Sequence, residues 1–195
     1  MRPAPTLARR RLLAGLVLTS LAVAGCSTDS APEESGEDLL DAHGLQNRGA
    51  RTLIEELEAL PLADRPSDLL AAVLPDRLDL SDASGRQTSL SLSDEDFYVS
   101  VAPFVDTTHD CFHHSLTTCV GELQEQDLEV HVVAADGTVL VDEMRTTAPN
   151  GFLGLWLPRG QELALTLTRD GACASTQVTT TADSATCLTA MQLTD

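Results

Sequence analysis

The sequence predicts an antiparallel β-sandwich preceded by a small N-terminal helical region. Three observations carry that prediction. The apolar periodicity switches from about 3.6 to about 2 near Arg77, short alternating runs then recur at roughly ten-residue spacing, and Asp-Gly and Pro-Arg-Gly turns separate them.

Residues 1–25 read as an export signal. Arg2, Arg9, Arg10 and Arg11 form a cationic start, residues 12–24 are a short apolar run, and Val23-Ala24-Gly25 place small residues before Cys26. That run is too short to span a bilayer as a helix. Val-Ala-Gly-Cys is similar to a bacterial lipobox, which would make Cys26 the lipidated first residue of the mature chain and its membrane anchor. Arg9-Arg10 loosely fits a twin-arginine signal, although an arginine-rich start needs no such explanation.

Residues 27–36 (STDSAPEESG) are small, polar and acidic, the composition of a disordered tether. Residues 37–43 then suggest a short helix closed by Gly44. Residues 50–60 carry Leu53, Ile54, Leu57 and Leu60 at helical spacing and stop at Pro61, and residues 66–73 suggest a third helix ending before Pro75. Three such helices are too small to bury their apolar faces alone, so they must pack on the rest of the chain or on a second copy. From Arg77, Leu78 and Leu80 alternate with polar residues, turn at Ala83-Ser84-Gly85, and return through Thr88, Leu90 and Leu92 as a hairpin. Further strands are expected at 97–105, 128–134, 139–145, 152–157, 162–169, 175–180 and 188–193. The run Val133-Ala134-Ala135-Asp136-Gly137-Thr138-Val139-Leu140 and Leu157-Pro158-Arg159-Gly160 resemble transthyretin-like and Ig-like sandwiches, a likeness of fold that carries no activity. The chain thus divides into a signal (1–25), a tether (26–36), a helical region (37–76) and a β-sandwich domain (77–195).

The sequence has no Lys, and loss of the signal removes four of its 12 basic residues, leaving eight Arg against 30 acids and a formal charge of −22. Such a chain repels nucleic acid and anionic lipid, which excludes nucleic-acid binding. No nucleophile elbow, His-Glu-x-x-His or Ser-His-Asp set is visible, so the chain reads as a non-enzyme.

The chemistry concentrates in residues 107–119, which hold three of the five His (His109, His113, His114) and two of the five Cys (Cys111, Cys119). Thiolate and imidazole suit Cu(I) and Zn(II) better than harder ions. On a helix, Cys111 and Cys119 would sit about 12 Å apart along the axis, too far for a disulfide or a shared metal. If the two sulfurs cooperate, the segment must fold back: one turn over Cys111–His114, then a return to Cys119, with Thr107, Ser115 and Thr118 satisfying the backbone. Cys187 offers a third thiol near the end of the sandwich, and Cys111, Cys119 and Cys187 together would have the trigonal sulfur character that Cu(I) favours. Four mature cysteines in an oxidising compartment also fit two disulfides, so a disulfide-stapled sandwich without metal stays open, as does a thiol redox protein coupled to copper reduction. Met144, Met191 and Trp156 read as core, His43 and His131 as surface or satisfied residues, and His109 and His113 as weaker donors than His114.

The segment from Thr107 to Cys119, with Asp96-Phe97-Tyr98-Val99-Ser100-Val101-Ala102-Pro103, Asn150-Gly151-Phe152-Leu153-Gly154-Leu155-Trp156-Leu157-Pro158 and Thr186-Cys187-Leu188-Thr189, resembles the CueP family of periplasmic copper-binding proteins over roughly residues 38–195. The resemblance implies copper ligation by Cys111, Cys119 and Cys187, with His114, which matches the motif, as auxiliary ligand; zinc stays open as an alternative ion. It also implies a role in copper tolerance and copper supply to an exported enzyme such as superoxide dismutase, and with the export signal the expected location is extracytoplasmic, in the periplasm or on the outer face of the cell membrane. An exported thiol-disulfide enzyme is a further expected partner, and a homodimer through the N-terminal part is implied. Cys173 departs from the pattern, and a Cys173–Cys187 pairing would remove one ligand.

Overall fold

Strand β4 (Asp96–Phe104) is buried on both faces and sits at the middle of three layers. In the computed structural model, residues 33–195 are described, with side chains from residue 36 onward. The export signal, Cys26 and the tether up to residue 32 lie outside the described residues.

β4 pairs antiparallel with β8 (Leu153–Pro158) and parallel with β11 (Cys187–Gln192), giving a three-stranded sheet. The parallel pair departs from an all-antiparallel arrangement; the chain reaches β11 from β10 through a loop that brings it in alongside β4. Against one face lies an antiparallel sheet in the order β10 (Ala172–Thr179), β9 (Glu162–Arg169), β6 (Asp127–Ala134) and β7 (Val139–Thr146). Alternation sends Phe97, Val99, Val101, Leu153, Leu155 and Leu157 inward to meet Leu128, Val130, Val132, Leu163, Leu165 and Leu167. This is the predicted sandwich, with each expected strand present to within a few residues.

On the other face of β4 lie two helices and a four-stranded sheet ordered β3 (Gln87–Ser91), β2 (Arg77–Asp82), β1 (Leu69–Val73) and β5 (His114–Ser115). Helix α2 (Ala50–Glu58) lays Leu53, Ile54 and Leu57 into a second core with Leu69, Ala71, Leu78, Leu80 and Tyr98. The helices therefore bury their apolar stripe on this chain's own sheet. Helix α1 (Glu33–Ala42) ends as expected at Gly44 (φ +65°), where the Gly44 and Leu45 N–H groups cap the Asp41 and Leu40 carbonyls.

The N-terminal region departs from expectation at two places. Helix α1 takes in residues 33–36, which composition assigned to the tether; Gly36 lies so close to β3 that a Cβ there would stand 2.8 Å from Thr88 Oγ1, so packing on the hairpin draws this stretch into order. Residues 66–73 form no helix. A 3₁₀ turn (Leu62–Asp64) is followed by β1, whose Leu69, Ala71 and Val73 are buried while Leu70 is exposed. A short apolar run reads equally as strand or helix, and two strands bonding β1 from both sides decide it.

Trp156, expected in the core, is half-buried instead. Tyr98 packs on its ring at 4.8 Å, and the Arg51 guanidinium covers it at 4.2 Å from the ring centroid. Met191 is core, but Met144 is exposed on β7. His43 lies 3.7 Å from Asp82, and His131 lies 3.3 Å from Asp142 on the surface.

Candidate metal centre

Residues 107–119 do fold back, but by a different route from the one expected. There is no helical turn over Cys111–His114. His114 and Ser115 instead pair as β5 with Val73 and Ala72, and the reversal comes one step later, where Cys119 N–H donates to Ser115 O at 3.0 Å. A free edge on β1 rewards extended backbone at His114 more than an isolated helical turn would. The Thr118 hydroxyl donates to Ser115 Oγ (2.7 Å), and Thr107 contributes its own N–H rather than its hydroxyl. That N–H, with those of Val105 and Asp106, converges on the Glu122 carboxylate at 2.9–3.0 Å. Gly121 and Gly151 then bring two loops together: a Cβ on Gly151 would stand 2.5 Å from Gly121 O.

Cys111 and Cys119 sulfurs lie 3.6 Å apart. Cys187, buried at the start of β11, is drawn to them because its N–H and that of Thr186 both donate to Phe112 O (3.1 and 2.9 Å). Its Sγ lies 3.9 Å from His114 Nδ1. His114 is fully buried, its backbone N–H donating to Thr186 Oγ1 at 3.1 Å. All four described cysteines are free thiols. Ala102, Phe152 and Cys187 form a small apolar shell on which Cys111 and Cys119 pack. Two three-donor sets result, His109 with Cys111 and Cys119, and His114 with Cys119 and Cys187, each with its donor atoms within 4.8 Å of one another. His109, expected to be a weaker donor than His114, thus belongs to the cluster. His113 and Cys173 are exposed and belong to neither set.

One central residue escaped sequence reasoning. Glu58, the last residue of α2, is 6% exposed and its carboxylate collects His114 Nε2 (2.9 Å), Tyr98 OH (2.9 Å), Asn150 Nδ2 (2.6 Å) and Ser100 Oγ (3.4 Å). Its signal was present: an acid on the same helical stripe as Ile54 and Leu57, where Glu is rarely buried unless paired. Burial pushes the Glu58 pKa up, but the His114 hydrogen bond and charge, with Asn150 and Tyr98, outweigh it and hold the carboxyl below its ordinary value. Burial pushes His114 down, but Cys119 and Glu58 raise it to about 9. Hydrogen bonding from Cys187, then from His114 and the Ser115 N–H, holds Cys119 well below the ordinary thiol range against burial. Burial raises Cys111 to about 11, and the Cys119 thiolate together with burial raises Cys187 far more. The centre is therefore arranged around one thiolate at Cys119, with Glu58 gripping Nε2 of His114 so that Nδ1 faces the sulfurs. A carboxylate behind a histidine is the outer support that metal-binding imidazoles use.

A cluster of three thiols and two imidazoles on a β-sandwich has the donor chemistry of a soft-metal site. The family model described as periplasmic copper-binding protein CueP matches residues 52–192, and the chain belongs to the CueP family. The crystal structure of S.CueP is 35% identical, covers 84% of this chain and 99% of its own, and superposes with a TM-score of 0.76. No curated protein matches the chain.

Proposed function

We propose that this chain is an exported, lipid-anchored copper-binding protein that captures Cu(I) through Cys111, Cys119 and Cys187, with His114 as auxiliary ligand, and holds it or passes it to an exported copper enzyme. The observation that carries the reading is that the folded-back segment carrying Cys111, His114 and Cys119 meets Cys187 of β11, so that three sulfurs and His114 Nδ1 fall into overlapping donor sets around Cys119. Membership of a family of periplasmic copper-binding proteins supports it. Cys119 offers a thiolate that needs no deprotonation, Cys187, Cys111 and His114 Nδ1 lose protons as the ion arrives, and Glu58 keeps the imidazole aimed. Soft sulfur donors suit Cu(I), and with His114 as a fourth donor Zn(II) is the ion that competes. Anchoring through Cys26 would keep the centre near the membrane surface, and dimerisation through the N-terminal part is part of the same reading. The protein acts by binding, without turnover.

Counting free thiols in the metal-free protein and titrating Cu(I) against a competing chelator tests this. Tight binding of one equivalent that disappears in Cys111→Ser and in Cys119→Ser is expected; no binding by the fully reduced protein sinks the proposal. A second reading, a thiol redox protein coupled to copper reduction, draws on the 3.6 Å separation of Cys111 and Cys119. It predicts that Cu(II) added to the reduced protein yields Cu(I) with loss of two thiols, whereas the first reading predicts no thiol loss with Cu(I).

A further inference from the structure

The two donor sets share Cys119 but differ in depth. His109, Cys111 and Cys119 are all half-buried, whereas His114 and Cys187 are 0% and 2% exposed. They differ also in how firmly their imidazoles are held. His114 is gripped by Glu58, while no carboxylate among the described residues pairs with His109. Phe152, itself fully buried, packs against both rings, its centroid 4.5 Å from that of His114 and 6.1 Å from that of His109.

We propose that His109, Cys111 and Cys119 form an outer landing position for Cu(I), from which the ion moves inward, to the three sulfurs beside His114, by trading His109 for Cys187. This rests on the Cu(I)-binding reading above. No electron moves in the step. The copper–nitrogen bond to His109 breaks, the copper–sulfur bond to Cys187 forms, the Cys187 thiol proton leaves to solvent, and Cys111 and Cys119 stay bound throughout. An ion held by two sulfurs while a third donor is exchanged is never released, so transfer avoids the cost of a bare cation. The same path run backwards presents the ion to an acceptor's thiolate at the solvent-facing side, and the loosely held His109 is the donor that gives way. His113, exposed and in neither set, has no part in it.

Rapid mixing of the reduced protein with a Cu(I)–bicinchoninate complex tests the path. His109→Ala is expected to lose the fast phase of uptake while its equilibrium affinity stays that of the wild type, and His113→Ala is expected to keep the fast phase. Cys187→Ser should strand the ion outside, so X-ray absorption shows one nitrogen and two sulfurs, and adding His109→Ala removes that nitrogen. Uptake by His109→Ala as fast as the wild type overturns the landing position. So does an affinity loss in His109→Ala, which makes His109 a ligand of the resting complex, or a nitrogen in Cys187→Ser that survives removal of His109. If the wild type binds Cu(I) but these variants behave so, the path alone fails; if the wild type does not bind Cu(I), the functional reading fails and takes the path with it.

Discussion

The two faces of strand β4 show how one buried strand supports two kinds of core. One face sends Phe97, Val99 and Val101 into an apolar layer shared with the outer sheet. The opposite face carries Tyr98, Ser100 and Ala102, the first two hydrogen-bonded to a buried carboxylate and the third packed beside the sulfurs. Both faces exclude water equally well. What differs is direction: apolar contacts tolerate any shape-filling neighbour, whereas the Glu58 network works only if each donor points at one carboxylate.

The sharpest way to separate the faces is to remove the donor common to both ligand sets. Cys119→Ser should abolish tight Cu(I) binding, read by chelator competition, while leaving the far-ultraviolet circular dichroism of the fold intact. On the apolar face, Phe97→Ala should cost about 3–5 kcal/mol of unfolding free energy in urea, with the Cu(I) affinity of the folded fraction unchanged. On the polar face, Glu58→Ala should cost a similar 3–5 kcal/mol or so, because it strands buried donors. Unlike Phe97→Ala, it should also weaken Cu(I) binding about 10–100-fold, since His114 is no longer aimed. If the two substitutions affect binding alike, the distinction between the faces is wrong.

Acidity offers a finer probe. The Glu58 pKa lies below its ordinary 4.5 in the folded chain, so its contribution to stability is complete above pH 4.5 and fades as pH falls through the folded value. The stability gap between the wild type and Glu58→Gln, both metal-free, should therefore be widest near neutrality and close in acid. His114, raised to about 9, runs the other way: its stabilisation is full below pH 6.5 and is lost as pH rises through about 9. The smallest effect belongs to Arg51→Ala, which uncovers Trp156 at the edge of the polar layer; about 0.5–1 kcal/mol is expected, with Cu(I) affinity unmoved.

Much of the architecture was legible because strand alternation and turn residues are local signals. The strands of the outer sheet, the hairpin of β2 and β3, and the helix stop at Gly44 all announce themselves within a few residues. Residues 66–73 misled because an apolar run with two alanines fits both periods, and the choice fell to β2 and β5 on either side. The Cys/His segment showed which residues carry the chemistry but not their rank. His109 read as a weaker donor because nothing near it in sequence shows that Phe152 packs against it or that Cys111 and Cys119 come within reach. Glu58 read as one more surface acid on an acidic helix.

By itself, then, the chain determined most of its strands, its donor atoms and the need for residues 107–119 to double back if the two sulfurs cooperate, since periodicity, ligand softness and helix geometry all act over short range. Only the tertiary structure decided that β11 joins β4 in parallel, that His114 is an edge strand rather than a helical turn, and that Glu58 stands behind it. Those choices depend on contacts between residues dozens of positions apart, whose net gain is settled by what else is left unburied, and no local pattern encodes that balance.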